Sequence, residues 1–188
     1  MSKSSVRPWK PTAEQLAAAH GGRAPDLVAP GLRVLFCGIN PGLYSAAIRH
    51  HFGRPGNRFW PVIHAAGFTP RRLTPFEERE LLPLGCGITN LVSRGTARAD
   101  ELSDEELRQG RRILERKVRR RRPRFIAFLG LTAYRTALGR TGAQVGLQAE
   151  RFGGALAWVL PNPSGLNAHY QFQELVRLFR DLWQAANA

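Results

Sequence analysis

Four segments rich in apolar side chains stand out along the chain as predicted β-strands. They lie at residues 32–38, 85–89, 125–129 and 155–160. The first contains the unbroken apolar run V-L-F-C and lacks the polar alternation of a strand that faces water on one side. Runs of this kind are typical of strands buried on both faces of a parallel sheet.

Apolar positions with helical spacing lie between these strands. They predict helices at residues 57–67, 75–82, 103–118, 131–138 and 169–186, with a shorter candidate at 12–20. Ser103 followed by Glu106 is typical of a capping box, and Gly67 is typical of a helix end. Residues 39–56 and 139–154 show neither pattern, and we predict irregular connections there.

The alternation of strands with helices predicts an α/β fold, a three-layer α/β/α sandwich with a central, mainly parallel four-stranded sheet. A chain of 188 residues is long enough for one sizeable core. We expect a basic N-terminal arm at residues 1–28, which contains several Pro and Gly residues and includes Lys3, Arg7 and Lys10. One domain at residues 29–188 then follows.

Polar side chains follow the predicted strands at the points where these strands end. Asn40, Asn90, Thr132 and Asn162 all lie within three residues of the end of a predicted strand. Because the carboxyl ends of parallel strands lie at one edge of a sheet, we expect these loops to share one rim. Two of the loops repeat the format Asn-Pro followed by Gly, although Asn is also an ordinary turn residue. The repetition favours a cleft formed by two opposing loops.

The charge of the chain favours a polyanionic partner. Lys and Arg number 28 against 14 Asp and Glu, and the formal net charge is +14. Arg suits phosphate because its planar guanidinium can bond two oxygens at once. An Arg-rich genome composition is the alternative explanation. Nucleic acid is the partner that we prefer on this basis.

Cysteine usage and hydropathy exclude several classes of protein. Cys37 and Cys86 lie in apolar segments without a metal-binding spacing, so we predict reduced core residues and a cytoplasmic location. Two cysteines are too few for the four ligands of an iron-sulfur cluster. Apolar runs are all shorter than the roughly 20 residues of a membrane span, and we expect no membrane partner.

The chain also lacks the common catalytic motifs. It contains no phosphate-binding G-x-x-x-x-G-K-[ST] loop, no dinucleotide G-x-G-x-x-G and no G-x-S-x-G elbow. In the segment H-H-F, Phe52 is either a stacking surface or a residue that packs against the core, and we predict surface imidazoles for His50 and His51. An Asn can orient a water for hydrolysis of a bond with a good leaving group, although it is a poor base.

Three motifs resemble one known family. G-I-N-P-G at residues 38–42, G-N-R-F-W at 56–60 and N-P-S-G-L at 162–166 resemble the mismatch-specific uracil/thymine-DNA glycosylases of the uracil-DNA glycosylase superfamily. The similarity includes G-C-G-I-T-N-L-V at residues 85–92 and covers about residues 29–182. This resemblance implies a monofunctional glycosylase that initiates base excision repair. Its substrate would be flipped uracil, with thymine or modified cytosine as alternatives, opposite guanine in double-stranded DNA.

The resemblance implies roles for individual residues and requires no metal and no cofactor. Asn40 would position the attacking water. The base pocket would be formed by Ile39, Ser45, Phe52, Asn90 and Asn162. The residues that enter the duplex beside the orphan guanine would be Gly165, Leu166 and Asn167. Rim candidates for phosphate contact are Arg58, Arg94 and Arg98, whereas the basic run at residues 117–124 is predicted to lie on the opposite side of the sheet.

Two positions depart from the family pattern. Several relatives carry Lys where this chain has Asn90, and an acidic residue where it has Ser93. The loss of the acidic group removes a water activator or a counterion for a cationic sugar. A catalytically weak or silent mismatch-binding protein is therefore the main alternative, and a small-molecule hydrolase is a more distant one. We expect the protein to be a monomer.

Overall fold

A five-stranded sheet forms the centre of the fold in the computed structural model, which describes residues 9–188. The strands are β1 (Val34–Gly38), β2 (Cys86–Asn90), β3 (Phe125–Leu129), β4 (Gly146–Phe152) and β5 (Ala155–Leu160). Their order across the sheet is β2-β1-β3-β5-β4. The first four in this order are parallel, so the loops after β1, β2, β3 and β5 leave the same edge of the sheet.

The predicted count of four strands was wrong by one. β4 lies at the edge of the sheet, pairs antiparallel with β5, and contains a register shift between Leu147 and Arg151. Most of its residues are exposed or half-exposed, and Leu147 is among the exposed ones. An edge strand that is wet on most of its surface has no continuous apolar run, so residues 139–154 gave no strand signal.

The helices are α1 (Ala13–Ala18), α2 (Leu43–Ile48), α3 (Phe59–Ala66), α4 (Asp104–Arg121), α5 (Leu131–Leu138) and α6 (Phe172–Asn187). Two of them, α3 and α6, cover one face of the sheet, and α4 and α5 cover the other, which makes the α/β/α sandwich. Val34 and Phe36 of β1 face a core shared with α3 and α6. Leu35 and Cys37 face a second core shared with α4 and α5. Successive side chains of β1 point to opposite faces, and helices cover both faces, so every position of the first apolar run is buried.

The predicted helix signals correspond to the observed helix ends. The hydroxyl of Ser103 accepts a hydrogen bond from the Glu106 amide at the start of α4. Gly67 ends α3 with a φ of 101°, a value that few residues other than Gly adopt. α2 was not predicted, because its six residues lie in a segment without helical periodicity. A 3-10 helix occupies Pro75–Leu81.

Residues 9–28 of the predicted arm pack against the domain. Leu27 is buried and pairs antiparallel with Ile88 of β2. Asp26 accepts a hydrogen bond from the Thr89 hydroxyl and forms an ion pair with Lys117 of α4. These contacts join the segment before β1 to the sheet. Lys3 and Arg7 lie outside the described residues, and the boundary at residue 28 stays a prediction.

Both cysteines are buried and free, as predicted. Burial raises the pKa of both thiols, that of Cys86 to about 12, so each is a neutral core residue. Among residues 9–188, none of the helices combines the length and the apolar character needed to cross a membrane.

Candidate active site

A cleft of about 630 Å³ opens at the carboxyl edge of the parallel strands. We call residues 38–42 the first loop and residues 162–167 the second loop. Both line the cleft, together with Asn90 at the end of β2 and residues 96–100. The cleft also contains Ile39, Ser45, Phe52 and Leu166. The structure thus brings to one cavity most of the residues that the sequence analysis selected.

Asn40 is held by its amide nitrogen. Nδ2 donates hydrogen bonds to the backbone carbonyl of Arg94 at 3.0 Å and to the hydroxyl of Thr96 at 2.7 Å. A backbone carbonyl can only accept, so these contacts fix which end of the amide is nitrogen. Within residues 9–188, no group donates a hydrogen bond to the Asn40 oxygen. That oxygen is available to accept a hydrogen from a water in the cleft.

Thr96 is the second support of this amide, and the sequence analysis missed it. Its hydroxyl donates to the carbonyl of Arg98 at 2.6 Å, so only its lone pairs face Asn40. The side chain is almost fully buried, and its backbone nitrogen donates to the carbonyl of Pro41. A Thr in the sequence R-G-T-A-R carries no motif, and only the folded chain reveals that it contacts the first loop.

His51 orients Asn90, and the prediction that His51 is a surface residue was wrong. Its side chain is buried, and Nε2 lies 2.9 Å from the carbonyl of Pro25, so Nε2 carries the proton. Nδ1 is then the acceptor for Nδ2 of Asn90 at 3.4 Å. Burial lowers the pKa of His51, more than the nearby carboxylate of Glu78 raises it. The imidazole is therefore neutral.

Phe52 occupies one wall of the cleft. Its ring stacks on Phe59 with a centroid distance of 4.0 Å and an interplanar angle of 22°. The backbone of Phe52 has a φ of 52°, which is uncommon for a residue other than Gly. Ser45 accepts a hydrogen bond from the Gly53 amide and so supports the same turn. Phe52 thus packs against the core and also lines the cavity, and stacking of this ring on a ligand stays a prediction.

The second loop uses its asparagine in the opposite sense from the first. Oδ1 of Asn162 accepts a hydrogen bond from the Ser164 amide, so Nδ2 is the end of the side chain that can bond a molecule in the cleft. In the described part of the chain, Nδ2 of Asn162 has no hydrogen-bond acceptor. Asn167 donates from its side chain to the carbonyl of Asn162 and closes the loop. Leu166 at the tip is 73% exposed.

Arg58 is half-buried and lies against the second loop. Its guanidinium donates to the carbonyls of Tyr170, Ser164 and Asn167 at 2.7–2.9 Å. Its backbone amide donates to the carbonyl of Pro163. These bonds favour a role in shaping the second loop over the phosphate contact that we predicted. Gly165 packs so closely on Gly56 that a Cβ atom would lie 2.5 Å from the Gly56 carbonyl oxygen.

Arg94 and Arg98, the other two phosphate candidates, both pair with carboxylates. Arg94 bonds Glu106 at 2.5 Å, and this contact lowers the pKa of that carboxyl to about 2. Arg98 is exposed and pairs with Asp100 at 2.6 Å. Both members of the second pair line the cleft, and Asp100 was not selected from the sequence. Phosphate contact by Arg94 and Arg98 stays a prediction.

Ser93 lies outside the cleft. It is exposed and lines a neighbouring groove of about 410 Å³ together with Asp26, Glu106 and Lys117. The only carboxylate that lines the main cleft within residues 9–188 is Asp100. No group of three or more His, Cys, Asp or Glu side chains in that part of the chain could hold a metal ion. The cleft thus combines amide donors and acceptors, one aromatic face and one Arg–Asp pair.

The fold and the cleft define an α/β protein whose cleft loops lie at the carboxyl edge of a mainly parallel sheet. A family model described as the uracil DNA glycosylase superfamily matches residues 25–186. The chain therefore belongs to the uracil DNA glycosylase superfamily, whose members are glycosylase hydrolases that act on DNA. The match begins four residues before the predicted domain boundary at residue 29 and includes Asp26 and Leu27.

Among solved structures, the chain is similar to a protein of Methanosarcina acetivorans described as a candidate uracil DNA glycosylase. The two sequences are 22% identical, and the alignment covers 87% of this chain and 98% of the other. The TM-score is 0.58. At this level of identity the likeness shows a shared fold.

Proposed function

We propose that the protein is a monofunctional DNA glycosylase that hydrolyses the N-glycosidic bond of uracil opposite guanine in double-stranded DNA. Thymine and modified cytosine opposite guanine are the alternative substrates that the same reaction would accept. The observation that carries the proposal is the fixed amide of Asn40, whose oxygen faces the cleft without a protein partner among the described residues. The geometry suits a water held for attack.

The reaction requires little proton chemistry from the protein. Uracil leaves C1′ of the flipped nucleotide as an anion, the water oxygen bonds to C1′, and the excess proton passes to solvent. Asn40 contributes by orienting the water, since a fixed acceptor reduces the entropy lost on the way to the transition state. The high positive charge of the chain favours the anionic leaving group.

The base would occupy the cavity between Phe52 and the asparagines. A uracil stacked on Phe52 presents carbonyl acceptors and one N–H donor at its edge. Nδ2 of Asn162 can donate to a carbonyl of the base. Oδ1 of Asn90 lies so close to Gly38 that a Cβ atom at residue 38 would be 2.6 Å from this oxygen. The absence of a side chain at Gly38 leaves room for that amide.

Leu166 would fill the space that the flipped nucleotide leaves in the duplex. It is exposed at the tip of a loop that Arg58 fixes from below. Apolar side chains inserted between bases offset part of the cost of unstacking. A mismatched pair costs less to open, which favours G:U over A:U. Gly165 and Asn167 flank Leu166 and would contact the orphan guanine.

An excision assay tests this function. We expect the protein to release uracil from a labelled duplex with one G:U pair, so that alkali then cuts the uracil strand at that position. Duplexes with G:T, G:C and A:U pairs in the same sequence rank the substrates. Absence of cutting under conditions in which the duplex is bound would reject the proposed activity.

A mismatch-binding protein without efficient chemistry is the second candidate. The observation that favours it is the pairing of Asp100, the one carboxylate lining the cleft in the described residues, with Arg98. A paired carboxylate is a weak activator of water. Single-turnover conditions with protein in excess separate the two candidates, because a silent binder forms no product at any time.

A further inference from the structure

The outer face of α4 carries a row of arginines that takes no part in the cleft. Arg112, Arg116 and Arg120 follow one another at intervals of four residues, which places them on one side of a helix. All three are exposed. The buried residues of the same helix, Leu107, Gly110, Leu114 and Val118, lie on the opposite side. We call these three residues the α4 arginine face.

The residues of the α4 arginine face lack the carboxylate partners that other arginines of the same helix have. Arg108 pairs with Glu105, and Arg111 and Arg119 both pair with Glu115. Within residues 9–188, Arg112, Arg116 and Arg120 form neither a salt bridge nor a side-chain hydrogen bond. Like charges four residues apart destabilise a helix. The free protein thus carries a cost on this face that a bound polyanion removes.

We propose that the α4 arginine face is a second nucleic-acid-binding surface, which contacts the phosphates of a segment other than the one in the cleft. From Arg112 to Arg120 the helix rises about 12 Å. One strand of duplex DNA presents about three phosphates over that length. The guanidinium forks can each bond two phosphate oxygens. The face requires no base contact and has no sequence preference.

The direction of α4 separates this surface from the cleft. α4 begins at Asp104, just beyond the rim residues 96–100, and ends at Arg121 before the amino end of β3. Its 18 residues extend about 27 Å away from the carboxyl edge of the sheet. A duplex seated on Leu166 contacts the carboxyl edge. The α4 arginine face therefore meets a distant part of a bent duplex or a second molecule.

The test compares two triple variants of the full chain with undamaged duplex DNA, so that it does not depend on glycosylase activity. Arg112→Gln, Arg116→Gln and Arg120→Gln remove the face. Arg71→Gln, Arg140→Gln and Arg151→Gln are the matched control, with the same change in net charge at exposed sites. Arg71 and Arg140 each pair with a carboxylate, and Arg151 bonds a carbonyl.

We expect the first variant to lose at least 10-fold in affinity near 0.1 M salt, and the slope of log K against log salt to fall by about 2.7. The control should lose less than 3-fold. Equal losses in the two variants, or no loss in the first, would overturn the proposal. Melting temperature and helix content should be unchanged or higher in the first variant, because repulsion is relieved.

Vesicles of phosphatidylserine and phosphatidylcholine provide the second measurement. We expect the wild-type protein to bind them no more tightly than the first variant does. Loss of vesicle binding in that variant, with unchanged DNA binding, would assign the face to a lipid surface instead and reject the proposal.

Discussion

The first and second loops share the format Asn-Pro followed by Gly, but they use the asparagine amide in opposite directions. Asn40 donates from its nitrogen to the protein and leaves its oxygen for the cleft. Asn162 accepts a hydrogen bond from the protein through its oxygen and leaves its nitrogen for the cleft. The first loop thus adds an acceptor to the cavity and the second adds a donor, although the two sequences are nearly the same at this point.

The loops also differ in how they are supported. The amide of Asn40 is fixed by the segment 94–98, which includes a buried Thr96. The second loop is fixed at its base by Arg58, and its tip at Leu166 is exposed. The contrast suits a division of labour in which the first loop positions small groups accurately and the second inserts a side chain into a deformable duplex.

The largest effect should come from removal of the acceptor in the first loop. We expect Asn40→Ala to lower the single-turnover rate of uracil excision by about 10³-fold, because the water loses its fixed partner. Affinity for the G:U duplex should change less than 3-fold. Rates and affinities are measured on the same labelled duplex.

Asn162→Ala is the matched control for the opposite loop. It removes one donor to the base and leaves the acceptor for water, so we expect a loss of about 10-fold. Similar losses in the two variants would show that the direction of the amide does not matter. Loss of DNA binding in Asn40→Ala would make that residue structural.

Loss of the Thr96 hydroxyl, which supports the first loop, should have the next largest effect. Thr96→Val preserves the shape of the side chain but removes the acceptor for Asn40 and the donor to Arg98. We expect the excision rate to fall by about 10- to 100-fold and the free energy of unfolding to fall by about 1–3 kcal/mol. Thr96→Ser should recover most of the rate. A rate loss that Ser does not recover would argue that the methyl group is what matters.

Arg58 provides the corresponding test of the second loop. Arg58→Met leaves three carbonyls without their donor, so we expect about 10-fold weaker binding of the G:U duplex and a loss of about 1–3 kcal/mol in unfolding free energy. The salt dependence of binding should stay the same. A phosphate contact would instead reduce the slope of log K against log salt by about 0.9. This slope decides between the structural role and the phosphate contact predicted from sequence.

The sequence was informative where the chemistry is local. The end of a buried strand predicts where Asn40 and Asn162 lie, and parallel strands bring those ends to one edge. The orientation of the Asn40 amide depends on the carbonyl of Arg94, 54 residues away, and backbone carbonyls have no sequence signature. The same holds for Arg58, whose acceptors lie 106 to 112 residues further along the chain.

Two further differences have simple physical causes. His51 follows His50 in a segment without apolar periodicity, and only the fold reveals that the carbonyl of Pro25 and the amide of Asn90 surround it. β4 was missed because an exposed edge strand does not need an apolar run. Features that depend on distant backbone atoms or on an exposed edge thus escape an analysis based on side-chain pattern.

A smaller effect is expected at the tip of the second loop. Leu166→Ala should leave the free energy of unfolding unchanged, because the side chain is exposed. The excision rate should fall by a few-fold on a G:U duplex and by about 10-fold on an A:U duplex, since the paired base costs more to open. Equal losses on the two duplexes would argue against insertion of Leu166.

The smallest effect concerns acid, to which the two loops should respond differently. His51 supports Asn90 beside the first loop, and its pKa is lowered in the folded protein, first by burial. The unfolded chain therefore binds a proton more readily, and the free energy of unfolding should decrease as the pH falls below about 6.5 toward the folded pKa. One such proton contributes at most about 1.4 kcal/mol per pH unit.

Urea denaturation between pH 7.5 and 5 should show a shallower decrease of the unfolding free energy in His51→Gln, because Gln does not titrate. The second loop is fixed by Arg58, and no histidine side chain within residues 9–188 forms a hydrogen bond to it. Arg58→Met should therefore keep the wild-type dependence on pH, and a changed dependence there would show that the two loops share one titrating support.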